Sequence, residues 1–245
     1  MRRGAHDHDP RSTWAWLVTA SAAIVSLACI TLAVWWFASS RERVTTYSVR
    51  GSLTAISLDL GSSDAEIVGG RDAPVVDVRR TDRFAFDRPA EARREVSDGT
   101  LRLRSRCPES VLGSCAATYR LTVPNNVAVT VRTGSGDVRL DGFRGSARID
   151  TRTGDVAADS YCGFVLRARA ESGDVSARAS CAPERLELRT RTGRVRAVVP
   201  AGRYRIDADS DEGRRSVRGL VSADDAQFQI LALSGTGDVD LEAGP

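Results

Sequence analysis

The 245-residue sequence has no lysine and only two histidines, both within its first ten residues. Beyond residue 10 the chain therefore has no imidazole, which excludes Ser/His/Asp and Cys/His nucleophilic catalysis and the usual zinc sites there. All 35 basic residues are arginine and stand against 32 acidic ones, which gives a net charge of +3. This charge is too balanced for a nucleic-acid-binding surface, and aromatic residues, at 6%, are too sparse for a stacking platform.

The two histidines lie in a polar tail over residues 1–13, in the run His6-Asp7-His8-Asp9. Such a run contains metal-ligand types, but nothing in the sequence determines their geometry. We therefore expect a solvated tail and no metal ion. The segment Gly134-x-Gly136 does not predict a phosphate loop, because no lysine follows it and it lies between predicted strands. We expect no cofactor.

After the tail, the residues from Trp14 to Phe37 carry no charge. As a helix this run would be ~36 Å long, against ~30 Å for the hydrocarbon core of a bilayer. It is longer than the roughly 7–15 residues of a signal-peptide core, and tryptophans mark both ends as in an aromatic belt. We predict an uncleaved transmembrane helix over residues 14–38. Cleavage near residues 38–40 is the alternative.

The most regular feature of the sequence is a short phrase that recurs six times. The copies are Thr133–Val138, Thr151–Val156, Ala170–Val175, Thr190–Val195, Ser210–Arg215 and Ser234–Val239. Their shared glycines lie 18 to 24 residues apart. A period of this size is typical of solenoids, in which each repeat of ~19 residues forms one rung of a stack.

Apolar residues flank each phrase at every second position, which is the spacing of β-strands. In the first copy they are Val129 and Val131 before the phrase and Val138 and Leu140 within and after it. Each rung is thus predicted to be a strand, a Gly-Asp turn and a second strand, with one face covered by its neighbours. The predicted fold class is all-β: a β-solenoid, or β-helix-like stack, after one transmembrane helix.

Three stretches depart from this pattern. Residues 39–46 are predicted to be a juxtamembrane linker, so that the β-domain spans residues 47–245. The segment Asp82 to Asp98 is charged and without a period, which predicts a loop or an irregular crossover. Arg215 interrupts an apolar column, so we expect a bulged or looped-out rung there, followed by a last rung that ends near Leu241.

Four of the five cysteines follow the apolar run, in two pairs. Cys162 and Cys181 each lie seven residues after the Asp of their phrase and therefore occupy one column on adjacent rungs. Stacked strands are ~4.8 Å apart and disulfides join Cα atoms roughly 4.4–6.8 Å apart, which predicts a rung-to-rung disulfide. Two buried free thiols are the alternative. Cys107 and Cys115 are near enough in sequence for a local disulfide.

The cysteines also predict the orientation in the membrane. Arginines flank the apolar run equally on both sides, so the positive-inside rule does not decide. Paired cysteines favour an oxidising exterior. We therefore place the tail 1–13 in the cytoplasm of a bacterial cell and the β-domain outside it.

These features together resemble the DUF4097 family of bacterial envelope proteins, which are labelled "putative adhesins". The resemblance rests on the recurring Ser/Thr-Gly-Asp-Val phrase, on Tyr119–Pro124 and on Asp98–Leu101, and it covers roughly residues 47–241. It implies a β-solenoid-like fold at the cell surface and brings no established catalytic residues. Arg194 and Arg214 depart from the pattern, because the family phrase has Asp there.

The Asp residues of the phrases should stack into a column at ~4.8 Å spacing. Such a column could bind calcium or supply paired carboxylates to an enzyme acting on a polysaccharide. We favour a structural role, in which each Asp caps its own turn. The turn residues predicted to be structural are Gly136, Asp137, Gly154, Asp155, Gly173, Asp174, Gly193, Gly237 and Asp238.

The outward columns mix arginine with acidic residues, which predicts ion pairs between rungs. An arginine patch is a candidate contact for anionic wall polymer or lipid headgroups; its residues are Arg167, Arg169, Arg189, Arg191, Arg194 and Arg196. The sequence thus predicts a non-enzymatic, membrane-anchored surface protein: an adhesin or an envelope interaction module. Its partners would be the membrane and a wall polymer or surface protein. A polysaccharide-acting enzyme and a self-associating scaffold are the alternatives.

Overall fold

The computed structural model describes residues 10–70, 75–85, 89–108 and 115–244, and of residues 10–19, 36–40 and 85 it describes the backbone alone. Helix α1 spans Pro10–Ser39, and all the regular elements described after it are strands. The strands are β1 (Ser40–Arg50), β2 (Ala55–Asp59), β3 (Asp64–Gly70), β4 (Val75–Ala85), β5 (Glu91–Ser97), β6 (Thr100–Arg106), β7 (Cys115–Pro124), β8 (Ala128–Thr133), β9 (Val138–Asp141), β10 (Ala147–Thr153), β11 (Val156–Tyr161), β12 (Val165–Ser172), β13 (Val175–Ala179), β14 (Arg185–Thr192), β15 (Val195–Pro200), β16 (Arg203–Ser210), β17 (Arg215–Arg218), β18 (Val221–Ser222), β19 (Phe228–Ser234) and β20 (Val239–Gly244).

The strands form two ten-stranded sheets that face each other. Sheet A has the order β1-β4-β7-β3-β9-β11-β13-β15-β20-β17, and sheet B the order β18-β16-β19-β14-β12-β10-β8-β2-β6-β5. Each rung contributes one strand to sheet B and the next strand to sheet A, and neighbouring rungs pair in parallel. The predicted all-β solenoid is confirmed.

The core lies between the two sheets because the apolar columns all point inward. The column that begins with Val131 and Ile149 is buried throughout, and so are Val138, Val156 and Val175 across the turn. In register, Ile149 pairs with Val131 on one side and with Ala168 on the other, so equivalent side chains stack directly. The period of two in the sequence thus becomes a filled interior between two sheets.

The rungs do not stack in chain order at either end. The last rung of the chain, β19 and β20, lies between the β14–β15 rung and the β16–β17 rung. Strand β17 is the last strand of sheet A, and the two-residue strand β18 lies beyond β16 in sheet B. At the other end, β2 and β3 lie between the β6–β7 rung and the β8–β9 rung. The predicted last rung of the chain is present, with β20 at Val239–Gly244, but it lies inside the stack and not at its end.

Arg215 gives the physical reason for this order. In chain order, Arg215 would point into the core between Val195 and Val239, and an unpaired buried charge is costly. On the end rung it is exposed, and β17 pairs with β20 on one side only. The predicted bulged or looped-out rung is therefore a regular one, and its arginine is tolerated because nothing covers it.

The segment from Asp82 to Asp98, predicted as a loop or crossover, consists largely of strand. It contains the end of β4 and the whole of β5, both antiparallel to their neighbours. Strand β5 is an edge strand with almost all its residues exposed, so it has no alternation for sequence analysis to detect. Residues 39–46 are not a linker either, because β1 begins at Ser40 and pairs with β4 over its whole length.

These antiparallel strands close the first end of the core. The guanidinium of Arg94, on sheet B, lies 4.7 Å from the ring centroid of Tyr47 on sheet A. Inside this end, Asp82 is buried and forms an ion pair with Arg80 at 2.7 Å. Arg80 also donates to the carbonyl of Ala90 and lies over the ring of Tyr119. The end rung at this side is thus covered by charged groups that are themselves paired.

Helix α1 covers the segment 14–38 for which a transmembrane helix was predicted, and it begins at Pro10, inside the predicted tail. Residues 1–9, with His6 and His8, lie outside the described part of the chain. Within that part, no helix is both long enough and apolar enough for a membrane crossing.

The order of the rungs can be tested by engineered disulfides. Arg185 and Gln229 are partners on adjacent strands, with Arg185 Nη2 donating to Gln229 Oε1 at 3.2 Å. We expect Arg185→Cys with Gln229→Cys to form a disulfide, detected by mass spectrometry of peptides. Arg185→Cys with Arg205→Cys is the control, because these positions are two rungs, or ~9.6 Å, apart. The opposite result would show that the rungs stack in chain order.

Candidate functional site

The Gly-Asp turns line one long edge of the stack, where they carry the chain from sheet B to sheet A. Each Asp carboxylate accepts, through Oδ1, the backbone N–H at the equivalent position of the next rung. The N···O distances are 3.0 Å from Asp137 to Asp64, 2.9 Å from Asp155 to Asp137, 2.8 Å from Asp174 to Asp155 and 2.7 Å from Arg194 to Asp174. The Asp column is therefore a ladder that ties turn to turn.

This geometry corrects one prediction about the Asp column. Each Asp was expected to cap its own turn, but it caps the turn of the neighbouring rung, because stacking brings that N–H within hydrogen-bond distance. Arg194 can take part as a backbone donor but cannot accept, so the ladder stops there. It resumes on the inserted rung, where Asp238 accepts from the N–H of Arg214 at 2.9 Å.

The glycines of the phrase are required by close contact between the turns. A Cβ at Gly173 would overlap the carbonyl oxygen of Gly154, and a Cβ at Gly193 would overlap that of Gly173. Gly173 also has a φ of +137°, which L-residues rarely adopt. The same overlap recurs for Gly136, Gly154, Gly213 and Gly237. Along this edge, the glycine column is thus where the backbones of adjacent rungs come too close for a side chain.

Hydroxyl groups three residues before these glycines add a further tie between rungs. The Oγ atoms of Thr190, Ser234 and Ser210 donate to glycine carbonyls of adjacent rungs at 2.7–2.8 Å. Thr133 donates to Gly61 in the same way at 3.0 Å. Thr151 belongs to this column and is 5% exposed, but its Oγ1 has no hydrogen-bond partner among the described residues.

Both predicted disulfides are present. Cys162 and Cys181 join adjacent rungs with a Cα–Cα distance of 4.8 Å, as the column argument predicts. Cys107 and Cys115 are joined across 5.8 Å. Cys29 on helix α1 is free and exposed. The four cysteines of the β-domain therefore serve structure.

The six arginines of the predicted patch do not form one surface. Arg167, Arg169 and Arg189 lie on the outer face of sheet B, whereas Arg196 lies on sheet A and pairs with Glu242 at 3.6 Å. Arg194 lies in a turn. The prediction of a single patch was wrong because neighbouring positions in the sequence fall on opposite sheets once each turn is made.

The three arginines on sheet B converge on one carboxylate, that of Glu187. It lies 2.6 Å from Arg169 Nη2, 3.0 Å from Arg189 Nε and 3.4 Å from Arg167 Nε. Burial alone would raise the pKa of Glu187, but the hydrogen bond from Arg169 and the charges of all three arginines outweigh it and lower that pKa. Glu187 is thus ionised and holds three guanidinium groups in place.

Glu187 is not among the site residues predicted from the sequence. It is an outward residue in a column of arginines and only 6% exposed, because its partners cover it. The signal that could have found it is a lone glutamate at an outward strand position, flanked by Arg167 and Arg169 one rung back and Arg189 two residues on.

Beside these arginines lies a hollow of 640 Å³ on the outer side of sheet B, which we call the sheet B groove. It crosses strands β10, β12, β14, β19 and β16. Its lining residues are Asp150, Thr151, Arg169, Ala170, Glu171, Arg189, Thr190, Arg191, Asp209, Asp211, Leu233, Ser234 and Gly235. Among the described residues no three His, Cys, Asp or Glu side chains are grouped so as to hold a metal ion.

Two sheets of stacked parallel rungs, tied by Gly-Asp turns, define the class of this domain as a two-sheet β-solenoid. The model of the family Toastrack DUF4097 matches residues 118–242, and the chain belongs to this family. No curated protein matches the sequence.

A solved structure shows the same fold. A putative cell adhesion protein from Clostridium sporogenes ATCC 15579 is similar with a TM-score of 0.50 at 12% identity, covering 83% of this chain and 100% of that one. A putative adhesin from Bacteroides fragilis NCTC 9343 is 16% identical with a TM-score of 0.45, covering 82% of this chain and 97% of that one. At 12% identity, the similarity to the C. sporogenes protein extends to the fold alone.

The glycine column yields a matched pair of variants. We expect Gly173→Ala to lower the free energy of unfolding by about 2–4 kcal/mol, because it adds backbone strain and an overlap with the Gly154 carbonyl. Gly51 has nearly the same φ, +138°, with no atom near its Cβ. Gly51→Ala therefore adds the backbone strain without the overlap. In urea unfolding, its loss of free energy of unfolding should be about 1–3 kcal/mol smaller than that of Gly173→Ala. Equal losses would refute the contact argument.

The Glu187 cluster predicts a pH-dependent stability. We expect Glu187→Gln to lower the free energy of unfolding by about 1 kcal/mol at neutral pH, a modest value because the arginines are partly exposed. Because the pKa of Glu187 in the folded protein is lowered below its ordinary value of ~4.3, the ionised carboxylate stabilises the fold fully at pH values above ~4.3. This stabilisation is lost as the pH falls through the lowered pKa. The difference in the free energy of unfolding between wild type and Glu187→Gln should therefore shrink as the pH is lowered from about 7 to about 3.

Glu171→Gln is the control for this experiment, since Glu171 is exposed and 3.8 Å from its nearest arginine, Arg191. Its effect should stay within about 0.5 kcal/mol at every pH. A constant difference for Glu187→Gln across the pH range would contradict the role given to its charge.

Proposed function

We propose that this chain is a non-enzymatic interaction module of the adhesin type, anchored by one transmembrane helix with its β-domain outside the cell. The observation that carries the proposal is how the turn side chains are used. The Asp and Thr/Ser side chains of the phrases bind backbone groups of adjacent rungs, so they serve the stack itself. The two long sheet faces are what the domain offers to a partner.

Family membership supports the same proposal. The chain belongs to Toastrack DUF4097, and the similar structures from C. sporogenes and B. fragilis carry names that refer to adhesion. A wall polymer or another surface protein is the kind of partner we propose for this chain. Self-association is the alternative partner arrangement, through the end rung whose strand β17 is open on one side.

The anchor is proposed from the uncharged run between Trp14 and Phe37. Where side chains are described on helix α1, large apolar ones are strongly exposed: Ile24, Val25, Leu27, Ile30, Leu32, Val34 and Trp35 are 59–69% exposed. A row of such residues is what a lipid environment would cover. The two disulfides support an exterior location for the β-domain, because disulfides persist in oxidising compartments.

Labelling of single added cysteines tests the topology. Arg218→Cys lies at the far end of the β-domain and Asp7→Cys in the predicted tail. On intact cells we expect a membrane-impermeant maleimide to label the first variant alone, with the protein retained in membranes after an alkaline wash. Labelling of Asp7→Cys alone, or release by the wash, would overturn the proposed anchor and location.

Binding of the full-length protein, in lipid nanodiscs, to isolated bacterial wall material tests the interaction role. We expect sedimentation with the wall fraction well above that of empty nanodiscs. Sedimentation equal to that of empty nanodiscs would count against a wall partner, whatever the topology result.

A further inference from the structure

We infer that the first end of the stack, formed by strands β1, β4, β5 and β6, lies on the membrane surface and binds anionic lipid headgroups. This rests on the anchor in the proposed function and adds a docking surface to it. Helix α1 ends at Ser39 and β1 begins at Ser40, so no linker separates them. Strands β1 and β5 are the edge strands of sheets A and B at this end. An anchor in α1 therefore brings this end of the stack next to the bilayer.

Positive charge collects on the strands of this end. The four strands carry eleven arginines and five acidic residues, a net charge of +6, whereas the whole chain has a net charge of +3. The residues outside these strands therefore sum to a net charge of −3. An anionic lipid surface attracts basic residues that lie within about 10 Å of it, the Debye length at 0.1 M salt. The charge thus favours contact through the end that the anchor brings to the membrane.

At this end, arginine faces arginine across neighbouring strands. Arg93 on β5 is the direct partner of Arg104 on β6, and both side chains are exposed. Like charges in directly opposite positions destabilise a sheet. Further into sheet B, the same outward column alternates in sign. The residues that follow Arg104 in that column are Asp59, Arg132, Asp150 and Arg169.

The Arg93–Arg104 pair lacks the carboxylate that a similar pair has elsewhere. Arg169 and Arg189 also face each other, and Glu187 forms ion pairs with both. Within the described part of the chain, Arg93 and Arg104 form no ion pair. A lipid phosphate would take the position at the first end that the carboxylate of Glu187 takes inside the stack, because guanidinium groups bind phosphate as they bind carboxylate.

The shape of this surface leaves room for a headgroup. Arg93, Arg104 and Arg106 line a hollow of 500 Å³ together with Asp59 and Glu91. The three guanidinium groups outnumber the two carboxylates, so the lining is net positive. The hollow lies on the outer side of β2, β5 and β6, where a headgroup can enter from the bilayer that the anchor places beside it.

Exposed apolar side chains accompany the arginines on the edge strands. Val44 on β1 is 45% exposed and Val96 on β5 is 51% exposed. Basic residues beside exposed apolar ones are typical of surfaces that lie in a membrane interface. Charge on an edge strand also prevents pairing with another chain. That role needs no excess of one sign, so it does not account for an arginine placed opposite an arginine.

The test measures how close the first end lies to lipid headgroups in the full-length protein. A fluorophore is attached to Ala92→Cys, an exposed position of β5, in a Cys29→Ser background with both disulfides intact. Nanodiscs carry a quencher on some headgroups and contain phosphatidylcholine with or without about 30% phosphatidylglycerol. We expect strong quenching in the anionic discs and weak quenching in the neutral ones. The difference should vanish at about 0.5 M salt, where screening is strong.

Matched variants separate the arginines of this end from arginine in general. Arg93→Ser with Arg104→Ser should lower the ratio of docked to undocked protein about 25-fold, because one arginine near an anionic surface contributes about fivefold. Arg93→Lys with Arg104→Lys keeps both charges and should restore most of the quenching. The control is Arg139→Ser with Arg178→Ser, which removes two exposed arginines from the middle of sheet A and should change nothing. A fluorophore at Ser222→Cys, on β18 at the other end of sheet B, should stay unquenched in both kinds of disc.

Three results would contradict the inference: equal quenching in neutral and anionic discs, equal effects of the first-end and control variants, or quenching only where two copies share a disc. The last result would make this end an interface between copies of the chain. Failure here is separable from failure of the proposed anchor. If the chain stays in nanodiscs through an alkaline wash but its quenching does not depend on lipid charge, the anchor stands and the docking surface does not. If the chain does not enter nanodiscs, the anchor itself is refuted.

Discussion

Close stacking of one turn on the next is the constraint on which the rest of this structure depends. At Gly173 the carbonyl of Gly154 occupies the place a side chain would need, and this contact recurs along the edge. Because the turns approach so closely, Asp155 Oδ1 can reach the backbone N–H of Asp174, at 2.8 Å. Glycine and aspartate in the phrase therefore act together. Glycine permits the close approach of two turns, and the aspartate carboxylate accepts a hydrogen bond from the backbone of the neighbouring turn.

The hydrogen bonds between stacked turns also affect the order of the rungs. An arginine in the Asp column can donate through its backbone but cannot accept, so Arg194 and Arg214 would make a poor adjacent pair. Inserting the last rung between them gives Arg214 an acceptor in Asp238, at 2.9 Å. The insertion also leaves Arg215 exposed on the end rung. Hydrogen bonding and the cost of burying a charge thus favour the same arrangement.

The outer faces of the two sheets are stabilised differently, because no other part of the described chain packs on them. There, charge pairing between rungs replaces apolar packing, and Glu187 gathers the three arginines around it at 2.6–3.4 Å. Such a cluster adds little stability where its partners are half exposed. Its larger effect is to hold the guanidinium groups of Arg169 and Arg189 in place beside the sheet B groove. The stack supplies the scaffold, and the sheet B face supplies the candidate site.

The sequence by itself determined the repeating unit, the inward columns, the Gly-Asp turns and the pairing of Cys162 with Cys181, because these are local patterns or repeat at one period. Only the tertiary structure decided the order of the rungs, the capping of the neighbouring turn and the division of the arginine patch between two sheets. Those features depend on which rungs are neighbours in space. The period of the sequence does not contain this information, because it is the same in whatever order the rungs stack. Strand β5 was not predicted because an exposed edge strand has no alternation of apolar and polar residues. Glu187 was not predicted because the arginine side chains that bury it do not change the hydropathy of its position.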